Sequence, residues 1–199
     1  MKRYFYHGFE PYYTDSEAVD HMLEIINSGG IKKRNEAIND SSDNNNLNHI
    51  CLYRKNESHD YSSTDGLVHS ARGGWIDNCM VFVISDEINA EYIPPNTELE
   101  NKGLPTDLVD EWRCFDNIPL DKIVGLAIPL DSFKNALDGN DRLLGPEEIA
   151  DLRESLKRLK ETCKRLGLKV YNSEKRNFTD FLDSQLENGE KEQEDEIII

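Results

Sequence analysis

No stretch of the chain approaches the ~20 consecutive apolar residues that a membrane-spanning helix needs. Nor does an apolar run follow the first residues, as it would in a signal peptide, so a cytoplasmic location and no membrane partner are expected. The four cysteines, Cys51, Cys79, Cys114 and Cys163, stand singly with no Cys-x-x-Cys pair. That spacing argues against a zinc ribbon or a disulfide framework; it predicts reduced, mostly buried thiols and no metal. No glycine-rich dinucleotide fingerprint follows a strand, and no P-loop is present. Positive charge is scarce as well: 23 Lys and Arg stand against 39 Asp and Glu, a net charge of -16. Such a surface repels phosphate backbones and disfavours stable docking on DNA or RNA.

The acidic excess is concentrated. Asp86 to Asp121 carries ten carboxylates against Lys102 and Arg113, and Glu174 to the end carries nine against Lys175, Arg176 and Lys191. Hydrophobic residues make up 37% of the 199 positions, so part of the length is expected to be solvated loop or tail.

What is present reads as strand, helix, several strands, then a long helix. RYFY at 3–6 reads as a strand that ends in His7-Gly8. Thr14 and Glu17 have the spacing of a capping box, with Ser16 the alternative cap. Val19, Met22, Leu23 and Ile26 then recur at helical spacing until Gly29-Gly30, after which Ile31 re-enters the core. NDSSDNNN, within 35–48, cannot bury apolar area and is expected to be a mobile loop. HICLYR (49–54), CMVFVIS (79–85), VDEWRCF (109–115) and KIVGLAI (122–128) read as strands, the second of them central and buried. In the last long segment, Pro146 suits the first helical turn, Glu147 and Glu148 complement the dipole, and Gly167 marks the stop. Its stripe of Ile149, Leu152, Leu156, Leu159, Cys163 and Leu166 is expected to pack on its own domain. LKVY adds an edge strand. Grouped strands of this kind predict an α+β fold with mainly antiparallel sheet.

Strand alternation sorts the candidate chemistry. In VDEWRCF, Val109, Glu111, Arg113 and Phe115 share one face and Asp110, Trp112 and Cys114 the other. Trp112 and Cys114 suit the core, which leaves Glu111 and Arg113 toward a cleft or toward solvent. Asp110 is the rival carboxylate should the register slip. His7 is either a satisfied structural imidazole or a ligand-facing one. His49 could donate to a phosphate or ribose, or merely cap its strand. Tyr53 could be an ordinary sheet aromatic. Arg72 in HSARGGW is a surface-turn arginine or a pyrophosphate partner.

The ordered set His7-Gly8, Gly29-Gly30-Ile31, Tyr53 and Glu111 resembles the ADP-ribosyltransferase fold family, in its poly-ADP-ribose polymerase branch, over about residues 3 to 128. The resemblance implies a split, mainly antiparallel sheet with flanking helices and a long C-terminal helix. With the resemblance placing a catalytic core at 1–130, the residues themselves add a helical extension at 131–182 packed on that core and an acidic tail at 183–199 expected to be disordered. The resemblance implies NAD as substrate and no metal, with ADP-ribose passed to a protein acceptor in preference to nucleic acid, or to water. Gly8 would let the nicotinamide carboxamide approach the backbone, His7 would bond a ribose hydroxyl, Tyr53 would stack on nicotinamide, and Glu111 would hold the 2′-hydroxyl as positive charge develops on the ribose. His49 and Arg72 complete the expected NAD contacts. Phe9 stands where that family commonly has Thr or Ser. Val109 removes the Glu-x-Glu or Gln-x-Glu pair of some toxin branches, and with it the signature of an arginine acceptor. RNA 2′-phosphotransferases share the Tyr-His-Gly opening and a strand like NHICLY, and are the second resemblance, set against the acidic charge. A catalytically inactive binding or immunity module of the same fold is the third expectation.

Overall fold

The computed structural model describes residues 4–8, 14–33, 49–54, 80–93, 111–141, 144–174 and 194–197. Within them the capping box forms as expected: Thr14 Oγ1 accepts from the Glu17 N–H at 3.2 Å, and Glu17 Oε2 accepts from the Thr14 N–H at 3.1 Å. This starts α1 (Asp15–Asn27), whose Ala18, Val19, Met22, Leu23 and Ile26 are buried. The helix stops where Gly29 and Gly30 take φ of 91° and 132°. At Gly30 the requirement is absolute, because a Cβ there would collide with the Ile118 carbonyl oxygen. Gly30–Ile31 (β2) can then lie against Ile118–Pro119 (β7), with Ile31 returned to the core.

Among the described residues nine strands and three helices make a mixed architecture of largely antiparallel sheets, an α+β fold. The largest sheet runs β1 (Phe5–Gly8), β4 (Val81–Ile84), β8 (Ile123–Ile128), β9 (Lys169–Asn172), in that spatial order. Only its β8–β9 pair is parallel; β9 is the edge strand expected of LKVY. Ile123 follows a short 3-10 turn at Leu120–Lys122. A second sheet has the order β3 (Ile50–Leu52), β6 (Glu111–Cys114), β5 (Ala90–Ile93). Reciprocal Tyr6 and Tyr53 backbone bonds of 2.9 and 2.8 Å join β1 to β3, so the two sheets meet along that seam.

VFVI of β4 is buried at every position because the large sheet is apolar on both faces. Phe5, Phe82, Ile84, Leu126 and Ile128 face α1 and α3 (Pro146–Leu166), together with Ile50, Leu52 and Cys114 of the second sheet. Tyr4, Tyr6, Val81, Val83, Ala127 and Tyr171 form a separate cluster on the reverse face. The α3 stripe packs as the periodicity requires: Leu152, Leu156, Leu159 and Cys163 are buried, and burial pushes the Cys163 thiol up to about 12. Gly167, at φ 68°, closes the helix in the left-handed conformation.

Besides the β2–β7 pairing and the 3-10 turn, two further described elements were not anticipated. The first, α2 (Leu130–Leu137), buries only Phe133 and Ala136, too few apolar positions to stand out as a periodic run. Its N-terminal turn is held by Glu174, which accepts from the Ser132 N–H at 2.9 Å and from its hydroxyl at 2.5 Å. The second is β5, whose AEYI is short and flanked by polar residues. The acidic end of the chain also differs from expectation where it is described. Asp195 donates its N–H to the Val170 carbonyl and accepts from the Asn172 N–H, and Ile197 is buried in the main core. Those four residues satisfy an otherwise open edge of β9, which composition does not reveal. The remainder of 183–193, the NDSSDNNN segment and Cys79 lie outside the described residues.

Candidate functional site

Three strands far apart in sequence come together at the seam. His7-Gly8 closes β1, Tyr53 follows β3 directly, and Glu111 opens β6. β3 and β6 pair antiparallel with Cys51 opposite Arg113 and Leu52 opposite Trp112. Continuing that register by one residue sets position 53 beside position 111.

His7 is partly buried, in the alternation of Phe5, on the sheet face that meets α1. Its Nδ1 lies 2.9 Å from the Cys51 carbonyl oxygen. A carbonyl can only accept, so Nδ1 carries the proton and Nε2 keeps a lone pair. Burial lowers the His7 pKa most strongly; the Cys51 carbonyl raises it and nearby His21 lowers it again. The result is a neutral imidazole in a fixed tautomer, able to accept a hydroxyl proton through Nε2.

Tyr53 sits elsewhere. As the bridge partner of Tyr6 it projects to the same side as Tyr6, with ring centroids 6.4 Å apart. That is the reverse face, where it is only 5% exposed among Tyr4, Val83 and Tyr171. His7 and Tyr53 therefore occupy opposite faces of the seam, because they fall in opposite alternation on paired strands. One bend of the dinucleotide against both rings is not what the described residues form. Gly8, paired with Val81, shares the alternation of Tyr6.

His49 is 8% exposed, with its ring 5.9 Å from that of Phe115, and reads as a packed residue at the strand entry. Glu111 pairs with Ile93 in β6; no more of it than its backbone is described. Arg72, Asp110, Phe9 and Val109 lie outside the described residues. Cys51 is exposed, against the expectation of buried thiols, since it alternates with the buried Ile50 and Leu52. Cys114 and Cys163 are buried as expected.

Sequence reasoning passed over Arg54. Its guanidinium lies 4.8 Å from the centre of the Phe5 ring and 5.6 Å from that of Trp112. Phe5 and Trp112 meet edge to face at 5.4 Å, and Tyr92 adds a third ring 5.5 Å from Trp112. The signal was available: Arg54 shares the alternation of Ile50 and Leu52, so a cation stands at a core-facing position.

Among the described residues no group of three or more His, Cys, Asp or Glu could hold a metal ion, and no helix is long and apolar enough to cross a membrane. No protein-family model and no curated protein matches the chain.

Proposed function

We propose that the protein is an ADP-ribosyltransferase-type enzyme that takes NAD as substrate and passes ADP-ribose to a macromolecular acceptor, with a protein favoured over nucleic acid by the net charge of -16. The observation that carries this reading is the adjacency of β1, β3 and β6, which brings the strand ends bearing His7-Gly8, Tyr53 and Glu111 to one seam, with His7 in one alternation and positions 53 and 111 in the other. The fixed His7 tautomer is a second support, since an Nε2 lone pair suits a ribose hydroxyl.

In this reading the C1′–N bond of the nicotinamide riboside breaks. Nicotinamide leaves with the electron pair and the ribose carries oxocarbenium character. The Glu111 carboxylate accepts from the 2′-hydroxyl and stabilises that charge. A nucleophile on the acceptor then attacks C1′ and loses its proton; water in its place makes the reaction NAD hydrolysis.

The test is incubation with labelled NAD and a cell lysate, following released nicotinamide and label on protein or nucleic acid. Glu111→Gln should lower nicotinamide release by at least ~100-fold, with melting temperature unchanged. Equal rates in variant and parent would remove Glu111 from the chemistry.

One observation favours a second reading, a binding module of the same fold without turnover. Tyr53 is packed among tyrosines on the face opposite His7, so the stacking partner expected for nicotinamide is engaged in the core. In that case neither parent nor variant would release nicotinamide.

A further inference from the structure

We propose that the channel between β9 and α3 is a docking site for an extended acidic segment of the pattern Asp-x-aliphatic on a partner chain. Residues 194–197 fill it as an internal occupant, which the partner segment displaces. The channel is defined by what those residues touch. Asp195 donates its N–H to the Val170 carbonyl at 2.6 Å, and its carboxylate accepts from the Asn172 N–H at 2.9 Å. Glu196 lies 3.6 Å from the Lys160 ammonium of α3. Ile197 is 3% exposed, in the core cluster that also holds Leu159, Cys163 and Val170.

The strand itself shows why such a segment fits. The Ser173 N–H bonds the Ile128 carbonyl of β8, so odd-numbered residues of β9 turn their backbone groups toward β8 and even-numbered ones turn theirs away. Val170 and Asn172 thus present a carbonyl and an N–H on the outer edge, a template for another extended chain. Asp195 takes both. A residue in a parallel ladder opposite Tyr171 would donate to Val170 and accept from Asn172 through its own carbonyl. Here a carboxylate oxygen stands in that carbonyl's place. A charged acceptor makes the stronger bond, and a short acidic side chain brings one back to the edge beside its own N–H. This selects Asp.

The other contacts set the rest of the pattern. Ile197 is the apolar anchor, two residues beyond the aspartate. Lys157, Lys160 and Lys164 fall at i, i+3 and i+7 on α3, so a basic stripe accompanies the Lys160 contact in a chain of net charge -16. Exposed ion pairs contribute little energy, but they favour an acidic segment over a basic one. Confined to residues 194–197 as described, the contact is small. A segment held over so short a length opens locally without unfolding the sheet behind it. Residues 175–193 join it to β9 within one chain, which raises its effective concentration over that of a free peptide. A partner of the same pattern therefore binds the parent weakly and an opened channel well. None of this rests on NAD turnover.

Fluorescence anisotropy of a labelled peptide with the sequence of residues 193–199, Gln-Glu-Asp-Glu-Ile-Ile-Ile, tests it. The peptide is titrated with the full chain and with its Ile197→Asp variant, whose internal occupant has lost its anchor. The variant should bind the peptide saturably and at least about tenfold more tightly than the parent does. The Asn172 amide resonance of the ¹⁵N-labelled variant should move with binding. The same peptide carrying Asp195→Ala should bind at least about tenfold more weakly. Hydrogen exchange of the parent serves if the variant does not fold. There the Asn172 N–H should exchange at least about tenfold faster than the Ser173 N–H, which stays bonded to Ile128 while the segment opens. The proposal is overturned if the variant does not bind, if parent and variant bind alike, if the alanine peptide binds as well as the original, or if the two amides exchange at one rate. A dimer of the parent that Ile197→Asp abolishes would place residues 194–197 of a second copy in the channel and overturn the internal assignment.

Discussion

Acidification should destabilise the protein in part through His7, and the sign follows from the structure. Burial is the leading cause that lowers both His7 and His21 below the ordinary imidazole value of 6.5. The Cys51 carbonyl partly offsets this for His7, and Glu24 does so for His21. As pH falls past 6.5 the unfolded imidazoles take up protons while the folded ones still resist. The unfolded state therefore binds more protons, and stability falls with pH, by at most about 1.4 kcal/mol per pH unit for each group. The contribution is complete above 6.5, is lost on descending toward the folded value, and levels off below it. His21 contributes less, since its side chain is 24% exposed and its charged form is partly solvated. Urea midpoints for the parent and for His7→Gln, between about pH 7.5 and 5.5, read this directly. Glutamine can still donate to the Cys51 carbonyl, so the variant should keep most of its neutral-pH stability and show a flatter pH dependence. Parallel curves, or a parent that gains stability in acid, would refute the assignment of a buried neutral imidazole.

Gly30→Ala should cost at least about 2 kcal/mol, because φ 132° and the Ile118 carbonyl both oppose a Cβ. Gly29→Ala, with open space around it, should cost less, and equal thermal shifts would contradict the backbone described here. Tyr53→Leu should destabilise by about 2–4 kcal/mol, since its ring is buried with Tyr6 and Tyr171. It should leave the Michaelis constant for NAD unchanged; a rise in that constant without loss of melting temperature would return Tyr53 to the ligand.

Much of the fold was legible wherever one residue type had one physical job. Thr14 with Glu17 had the spacing of a capping box, Gly167 suited a left-handed stop, and VFVI suited a strand buried on both sides, and each formed. The seam was not legible, because it depends on which of two alternations meets the other across β1 and β3. His7 and Tyr53 looked like partners by order, yet the Tyr6–Tyr53 bridge sets them one residue out of phase. In a sheet, one residue of phase is a change of face. The same rule hid Arg54: read as the polar end of HICLYR, it stands on the apolar side with Leu52. Residues 194–197 escaped for another reason. Net charge describes the solvation of a segment on average, whereas one isoleucine and the two hydrogen bonds of Asp195, one from its backbone N–H and one to its carboxylate, decide whether it docks.

The phase difference also divides the functional possibilities. His7, Phe5, Leu52, Arg54 and Trp112 share the alternation that faces α1, while Tyr4, Tyr6, Gly8 and Tyr53 share the other. A polar ligand needs donors and acceptors that the protein has not already consumed. On the tyrosine face, aromatic packing takes up the available area. On the other, the neutral Nε2 of His7 keeps a lone pair. A ligand that touches both His7 and Glu111 must therefore reach around the strand ends of the seam, because positions 53 and 111 share the alternation opposite His7.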